Sequence, residues 1–368
     1  GSSGQFLTTN GSGALSFATV ESGADLYAEN YDGTSTLPSA TGTNAVAIGD
    51  NVTSSGIRSV ALGGIVTATG DYSVAFGAGS DALGDNAVAI KGDAKHQRTT
   101  SIGFNGAGTP SIAGISSSTN SSGAMALGGS YAAGVDSFAA AIGTNSASYG
   151  ATGANSIAIG YQSKASSGYG VAIGRSCQAG DTSFATGSSA LATGAKAFSH
   201  GLNTTASASY SKASGREALS NIEGKSARAS GKFSAQGDAQ GGQFILRSDT
   251  TDATAEALTT NNSTAGSTNQ IVAASDTCIT FHGTVVAMQN GAQAHAGWEI
   301  KGMLVNDGGT TTLALGNVSD MAATNASSWA VALSADNTNN ALKIQVTGEA
   351  SHNIRWVANV QTSEVTYA

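Results

Sequence analysis

The sequence contains little charge, few aromatic residues, almost no proline and almost no cysteine. Charged residues make up 11% of the 368 positions and aromatic residues 6%, with 2 prolines and 2 cysteines. So little charge excludes a disordered polyelectrolyte, and a hydrophobic content of 40% argues against a solvated tail. The net charge is −8 and no basic stripe is present, so a nucleic-acid partner is excluded. No apolar run approaches the roughly 20 residues that cross a bilayer, so we expect no membrane insertion.

Metal-binding patterns are scarce as well. Cys177 and Cys278 lie in different segments without metal-ligand spacing, and we interpret both as buried small residues that form no disulfide with each other. Spacing typical of a metal site is also lacking among the histidines, which are His96, His200, His282, His295 and His352. His200 occupies a repeat position that is isoleucine in other copies, which favours a packed imidazole over a ligand on a threefold axis. We therefore predict no cofactor and no metal.

The C-terminal segment includes carboxylates that could act as a pair on a glycan. They are Asp249, Asp252, Asp276 and Glu299. Most of them stand in turn-like contexts, where short polar side chains satisfy local backbone groups. We therefore predict that the protein is not an enzyme, with a glycan-depolymerising tailspike as an alternative.

Glycine is abundant, with 50 residues in the chain. Many of these glycines recur at fixed positions of a repeat that is fourteen residues long. The segment Gly42-Thr-Asn-Ala-Val-Ala-Ile-Gly49 is followed by related segments that open at Gly56, Gly70 and Gly84. A short fixed period is typical of units that bury apolar surface only by stacking on their neighbours. Each period has room for two short strands and two turns. We therefore predict an all-β fold whose main part is a parallel β-solenoid, or β-roll, of roughly 14-residue coils stacked about 4.8 Å apart.

Each repeat strand has two different faces. In Ser59-Val-Ala-Leu-Gly63, Val60 and Leu62 share one face, and Ser59 and Ala61 share the other. We expect the larger residues to fill the coil and the flat Ala/Ser face to contact another protomer. The predicted repeat core is Val46, Ile48, Val60, Leu62, Val74, Phe76, Ile157, Ile159, Val171 and Ile173. The predicted turn glycines are Gly49, Gly63, Gly77, Gly160 and Gly174.

Three segments differ in pattern. Residues 1–40 form an irregular leader, and residues 41–237 carry the repeats, with an insertion at about 93–122. Residues 238–368 hold all three tryptophans and longer alternating runs separated by turn signals, which predicts an antiparallel β-sandwich. We interpret Trp298, Trp329 and Trp356 as core residues rather than as sugar-stacking platforms. The insertion is the loop most suited to recognition, because it departs from a regular scaffold.

The motif Gly-x-Asn-Ser-[Val/Ile]-Ala-Ile-Gly resembles the head repeat of trimeric autotransporter adhesins, with good copies such as Asn155-Ser-Ile-Ala-Ile-Gly160. This resemblance covers just over half of the chain and implies left-handed parallel β-rolls that associate as a homotrimer. The C-terminal segment resembles a domain at the ends of phage tail fibres and virion proteins. That resemblance rests on the stretches 244–254, Trp298-Glu-Ile-Lys-Gly302, 329–336 and 341–358.

Together with the repeat pattern, these resemblances imply a structural, non-enzymatic, trimeric phage tail fibre that attaches a virion to the host cell surface. Its partners would be itself as a homotrimer, other virion or tail proteins through the N-terminal segment, and a host surface glycan or protein. Its location would be the virion, outside the cell. The alternatives are a bacterial trimeric surface adhesin, a purely structural virion fibre and the depolymerising tailspike.

Overall fold

The computed structural model is all-β in the residues that it describes, with no helix among them. Those residues are 2, 5–9, 11–19, 36–91, 93–94, 100–102, 118–119, 124–127, 130–142, 148–291 and 293–367. The chain divides into two compact units, 1–107 and 108–368. The division falls within the predicted insertion, most of which lies outside the described residues, so we describe each unit by itself.

The first unit holds an antiparallel hairpin and a set of parallel coils. The hairpin pairs β1 (Gln5–Thr9) with β2 (Leu15–Thr19). In the coils, the strands with the Val-Ala-Ile motif or its variants, which we call the motif strands, pair in parallel from coil to coil, and the strands between them do the same. The strands are β3 (Ser39–Ala40), β4 (Val46–Ile48), β5 (Val52–Ser54), β6 (Val60–Leu62), β7 (Val66–Ala68), β8 (Val74–Phe76), β9 (Asp81–Ala82), β10 (Val88–Ile90), β11 (Asp93–Ala94) and β12 (Thr100–Ile102).

The second unit begins with more coils of the same kind. Register is kept from coil to coil, so that Ile157, Ala158 and Ile159 lie beside Val171, Ala172 and Ile173. The strands are β13 (Ser118–Thr119), β14 (Met125–Leu127), β15 (Tyr131–Ala132), β16 (Phe138–Ala140), β17 (Gly150–Ala151), β18 (Ile157–Ile159), β19 (Lys164–Ala165), β20 (Val171–Arg175), β21 (Gln178–Ala179), β22 (Phe184–Ser188), β23 (Leu191–Ala192), β24 (Phe198–Leu202), β25 (Thr205–Ala206), β26 (Lys212–Arg216), β27 (Leu219–Ser220) and β28 (Ser226–Ser230). The predicted parallel β-solenoid is confirmed.

The turn glycines adopt a backbone that other residues avoid. Their φ angles are 124° at Gly49, 140° at Gly63, 97° at Gly77, 105° at Gly160 and 127° at Gly174. Space is also lacking, because a Cβ at Gly174 would lie 2.0 Å from the Gly187 carbonyl oxygen of the next coil. Glycine therefore meets two requirements at once, a positive φ and close stacking of successive turns.

The prediction of the coil interior was wrong, because the ten large residues predicted to form the core do not lie inside. Ala61, Ala75, Ala158 and Ala172 are fully buried, whereas the residues predicted to form the core point outward. Val46, Phe76 and Ile157 are 43%, 53% and 36% exposed. The other seven, Ile48, Val60, Leu62, Val74, Ile159, Val171 and Ile173, are half-buried.

The reason for the inversion is the width of the coil. Two short strands joined by tight turns face each other closely, so most inward positions hold alanine or serine, and the larger buried residues are few, such as Val52, Val66 and Ile142. The inward serines are also satisfied locally, since the Ser156 hydroxyl donates to the Gly153 carbonyl oxygen at 2.6 Å. A flat Ala/Ser face is therefore what a narrow coil needs inside, and it cannot serve as the contact between protomers.

The C-terminal part of the second unit consists of two antiparallel sheets around one core. The first sheet has the order β29–β37–β32–β33–β34 and the second is centred on β36, with β35 on one side and β30 and β31 on the other. The strands are β29 (Ala239–Thr250), β30 (Ala255–Ala257), β31 (Ile271–Val272), β32 (Thr277–Gln289), β33 (His295–Asp307), β34 (Thr310–Thr324), β35 (Ala330–Asp336), β36 (Ala341–Thr347) and β37 (Ile354–Thr366).

The three tryptophans lie in the core between these sheets. Trp356 is fully buried, and its ring centroid lies 5.5 Å from that of Trp298 and 5.7 Å from that of Trp329. The Trp356 indole N–H donates to the Thr250 hydroxyl at 3.0 Å. The interpretation of these residues as core is confirmed.

The solenoid and the C-terminal sheets are joined by hydrogen bonding rather than by a linker. The last coil strand, β28, pairs with β29 in the antiparallel sense, with Ser226 opposite Gln243. This pairing covers an edge that would otherwise present free N–H and C=O groups. A salt bridge at the same place joins Lys225 to Glu364 at 2.6 Å, with side chains only 4% and 8% exposed.

Candidate functional site

The outward face of the motif strands carries two columns of side chains, which we call the outward ladder. In the first unit, one column consists of Val46, Val60, Val74 and Val88, and the other of Ile48, Leu62, Phe76 and Ile90. Side chains of adjacent coils in a column are about 4.8 Å apart, so each column forms a continuous apolar stripe. A contiguous exposed stripe of this kind marks an interaction surface.

In the second unit the ladder is apolar in its first part and polar in its last. The first column runs through Phe138, Ile157, Val171, Phe184 and Phe198, and then reaches Lys212. The Phe184 and Phe198 rings stack with centroids 5.4 Å apart and planes 8° apart. The Lys212 ammonium lies 5.7 Å above the Phe198 ring.

His200 lies in the second column of the ladder. It follows Ile159, Ile173 and Thr186 and precedes Ser214. The sequence interpretation placed a packed imidazole here, but the side chain is exposed, because this column points out of the coil. Its ring lies beside Phe198, with centroids 6.4 Å apart.

Both cysteines are free, as expected. Cys177 is fully buried in the solenoid, where burial raises the pKa of its thiol despite a backbone hydrogen bond that acts in the opposite direction. A raised pKa keeps the thiol protonated and unreactive. Cys278 is half-buried. The prediction of a buried residue is confirmed for Cys177 and is wrong for Cys278.

The four carboxylates considered for glycan chemistry do not share one site. Asp252 accepts from the Thr254 backbone N–H at 2.7 Å, which lowers the pKa of this carboxyl, and Asp276 accepts from the Gly308 N–H at 3.2 Å. Glu299 lies 3.0 Å from the His282 imidazole. In the described part of the chain, no group of three His, Cys, Asp or Glu residues could hold a metal ion. His96 lies outside the described residues.

The coil turns carry paired cations and aromatic rings on the surface. The Arg58 guanidinium lies 5.6 Å from the centre of the Tyr72 ring one coil away. One coil also separates Lys196 from Tyr210, whose hydroxyl is 3.0 Å from the lysine ammonium. This hydrogen bond raises the pKa of Lys196. These pairs link neighbouring turns on the exposed surface.

The structure adds a cleft that the sequence analysis missed. It has a volume of about 430 Å³ and lies between β29, the chain after β30 and strand β36. Its polar lining residues include Asp249, Glu256, Asn262, Lys343 and Gln345. The only signal in the sequence was the polar run Asn261-Asn-Ser-Thr264, which by itself is a turn pattern.

Comparison with known protein families identifies the repeats. A family model described as the YadA head domain repeat (2 copies) matches residues 40–64, 68–90 and 151–176. A comparison with curated proteins gives no match. The matched repeats indicate an adhesin-like protein of an extracellular surface, and a homotrimer is consistent with them. Among the described residues, no helix is long and apolar enough to span a membrane.

Proposed function

We propose that this chain is a non-enzymatic attachment protein that forms a homotrimer through the outward ladder. The observation that carries the proposal is the exposure of large apolar side chains in register over successive coils, such as Phe76 at 53% and Ile157 at 36%. A narrow coil stabilises itself little by burial, since its interior is mostly alanine. Association through the ladder supplies the missing apolar burial.

A second exposed apolar patch lies on the antiparallel sheet that follows the solenoid. Val286 on β32 lies directly opposite Val357 on β37, and the two side chains are 57% and 40% exposed. Ile245 on β29 and Met288 on β32 are also exposed, at 48% and 61%. Because β28 pairs with β29, the face that carries these residues lies on the same side as the outward ladder, separated from its apolar part by a polar stretch that includes Lys212 and Ser226. The shared side supports an interface that includes both parts of the second unit.

The proposed role is to hold three copies of weak surface sites against a cell surface. Three simultaneous contacts multiply a modest affinity without catalytic chemistry. As the carrier we propose a phage virion, with the chain as a tail fibre that binds other tail proteins through its N-terminal segment. The resemblance of the C-terminal segment to tail-fibre domains supports this carrier. The match to YadA head repeats favours a bacterial trimeric surface adhesin as the second candidate.

Sedimentation velocity tests the homotrimer. We expect the wild-type protein to sediment at three times the protomer mass, and Ile157→Asp to dissociate because three buried carboxylates would meet at the ladder. Tyr161→Asp is the matched control, since this residue is 51% exposed in the adjoining turn. An Ile157→Asp variant that stays trimeric would contradict the ladder interface.

A cell-binding assay tests attachment, and labelling identifies the carrier. We expect labelled trimer to bind host cells and the Ile157→Asp monomer to bind at least tenfold more weakly.

Absence of binding by the trimer would favour a purely structural fibre, and release of reducing sugars would favour the tailspike. Immunogold particles on phage tails would support the tail fibre, and particles on bacterial cells would support the adhesin.

A further inference from the structure

The cleft in the second unit is built from three pieces of chain that are far apart in sequence. Its floor is the pair β30 and β36, where Ala257 lies opposite Gln345. Leu258 still donates to the Ile344 carbonyl oxygen at 2.9 Å, and pairing with this edge of β36 resumes where Ile271 meets Leu342, after residues 260–270 have left the sheet as a loop. Ser248 and Asp249 of β29 form one wall of the cleft, and residues 262–265 of the loop form the other.

Hydrogen bonds hold this loop in one shape. The Asn269 side chain is 3% exposed, and its amide donates to Asn261, to the Ser263 hydroxyl at 3.1 Å and to the Thr264 carbonyl oxygen at 3.0 Å. The Arg247 guanidinium donates to the Thr260 carbonyl oxygen at 2.8 Å, which ties the loop to β29. A cleft with a fixed wall loses little conformational entropy when a ligand binds.

Hydrogen bonds from neighbouring side chains orient the two carboxylates of the cleft, and each carboxylate uses only one of its oxygens for them. Asp249 accepts from the Asn262 amide at 2.6 Å through Oδ1, and Glu256 accepts from the Ser248 hydroxyl at 2.9 Å through Oε2. Each carboxylate therefore keeps one oxygen available as an acceptor. Lys343 and Gln345 lie half-buried on the floor, and neither side chain makes a hydrogen bond to another described residue.

We propose that this cleft binds an uncharged saccharide unit. Sugar hydroxyls both donate and accept hydrogen bonds, and the cleft offers carboxylate acceptors, an ammonium donor and amides that do both. The two carboxylates against one ammonium disfavour an anionic ligand. Ala255, Ala257 and Ala265 leave room in the lining and contact the apolar face of a sugar ring. The volume of about 430 Å³ falls in the range of small-molecule sites, about 300–1,000 Å³.

This inference rests on the proposed function for its biological role, because it names the class of ligand that an attachment protein would recognise. No aromatic ring lines the cleft, so stacking does not contribute and each site binds weakly. Three such sites in a trimer would act together on a polysaccharide.

The test uses the full chain and a printed array of neutral hexose and N-acetylhexosamine oligosaccharides, with sialylated and sulfated ones beside them. We expect binding to neutral probes only. Titration of the strongest probe should show Lys343→Met and Glu256→Ala binding at least tenfold more weakly, since hydrogen bonds to charged groups are lost. Lys301→Met is the control, because this lysine is exposed and does not line the cleft. Unchanged affinity in both cleft variants would overturn the proposal.

A second measurement does not depend on variants. Acetylation of the wild-type protein, followed by mass spectrometry, should show the saccharide protecting Lys343 and leaving Lys301 reactive. Equal reactivity of Lys343 with and without bound probe would also overturn the proposal. The two proposals fail separately: cleft variants that bind cells normally refute the saccharide site alone, whereas a trimer that binds the array but no cells refutes the attachment function alone.

Discussion

Replacing Ala172 with valine tests which face of the repeat strand lies inside the coil. Ala172 is fully buried, and its neighbours in register, Ala158 and Ala185, are fully buried as well. The opposite strands contribute Ala165 and Ala179 to the same cluster. None of these side chains can move aside, because each consists of a single methyl group. Two additional carbon atoms must therefore push the two sheets of the coil apart.

The expected cost follows from the cost of overpacking a close-packed interior. Extra methylenes in such sites cost about 1–3 kcal/mol, which for a domain of this size lowers Tm by about 2–12 °C. Thermal unfolding followed by far-UV circular dichroism measures the shift. Amide hydrogen exchange shows which part of the solenoid is destabilised. Faster exchange should be confined to residues 158–185, around the enlarged side chain.

Ala140→Val is the matched control. Ala140 lies in the outward ladder between Leu127 and Ile159, so a larger side chain there meets no coil interior. We expect its Tm to equal that of the wild type or to rise slightly, since valine favours strands. If Ala172→Val proved as stable as Ala140→Val, the assignment of alanine to the interior would be wrong. The valine and isoleucine face would then be the buried one.

Three further predictions concern turn geometry, the join between solenoid and sheet, and pH. Gly187→Ala should destabilise the fold by about 2–5 kcal/mol in urea unfolding, because φ is 123° and a Cβ would lie 2.1 Å from the Gly201 carbonyl oxygen. Lys225→Met should cost about 3–5 kcal/mol, since it leaves the Glu364 carboxylate buried without its cation. Burial by itself raises the pKa of Asp238, but N–H groups of residues 233–235 outweigh it and lower that pKa. Asp238 therefore stabilises the fold above its ordinary pKa and loses this effect as pH falls through the lowered value, so Asp238→Asn should flatten the stability profile below about pH 4.

Each of these three predictions has a control that tests the physical cause assumed for it. Gly224→Ala should cost about 1 kcal/mol, because φ is 70° and the nearest atom to a Cβ is a side-chain carbon 3.7 Å away. An equal cost at Gly187 would remove the steric argument. Replacing Lys225 and Glu364 together by apolar residues should recover most of the free energy of unfolding that Lys225→Met loses. No recovery would mean that the loss does not come from the unpaired Glu364 carboxylate. An unchanged pH profile in Asp238→Asn would assign acid unfolding to other carboxylates.

In the C-terminal sheets, the alternation of apolar and polar residues predicted the strands but not their pairing. The long alternating runs around the three tryptophans predicted antiparallel strands, and the observed strands follow them, because an extended run with a period of two has one face to bury. The partner of each strand was not predictable. β37 pairs with both β29 and β32, although more than a hundred residues separate β29 from it.

The candidate sites divide in the same way. The outward ladder could be predicted as a set of residues, since the repeat places Val46, Val60 and Val74 fourteen positions apart. The cleft could not be, because Asp249, Glu256 and Lys343 come together only when β30 pairs with β36. The sequence context of a carboxylate in a turn does not show which other side chains will line the same cleft.

The repeat period by itself determined that this chain winds into stacked parallel coils, and glycine at the ends of the strands determined where each coil turns. These are local properties, because a constant step and a positive φ depend on residues close in sequence. Alternation defined two faces of each strand without saying which one lies inside. Only the tertiary structure decided that, because the two sheets of a coil lie close enough to bury Ala61 and Ala158 completely, whereas Leu62 and Ile159 point outward and are half-buried.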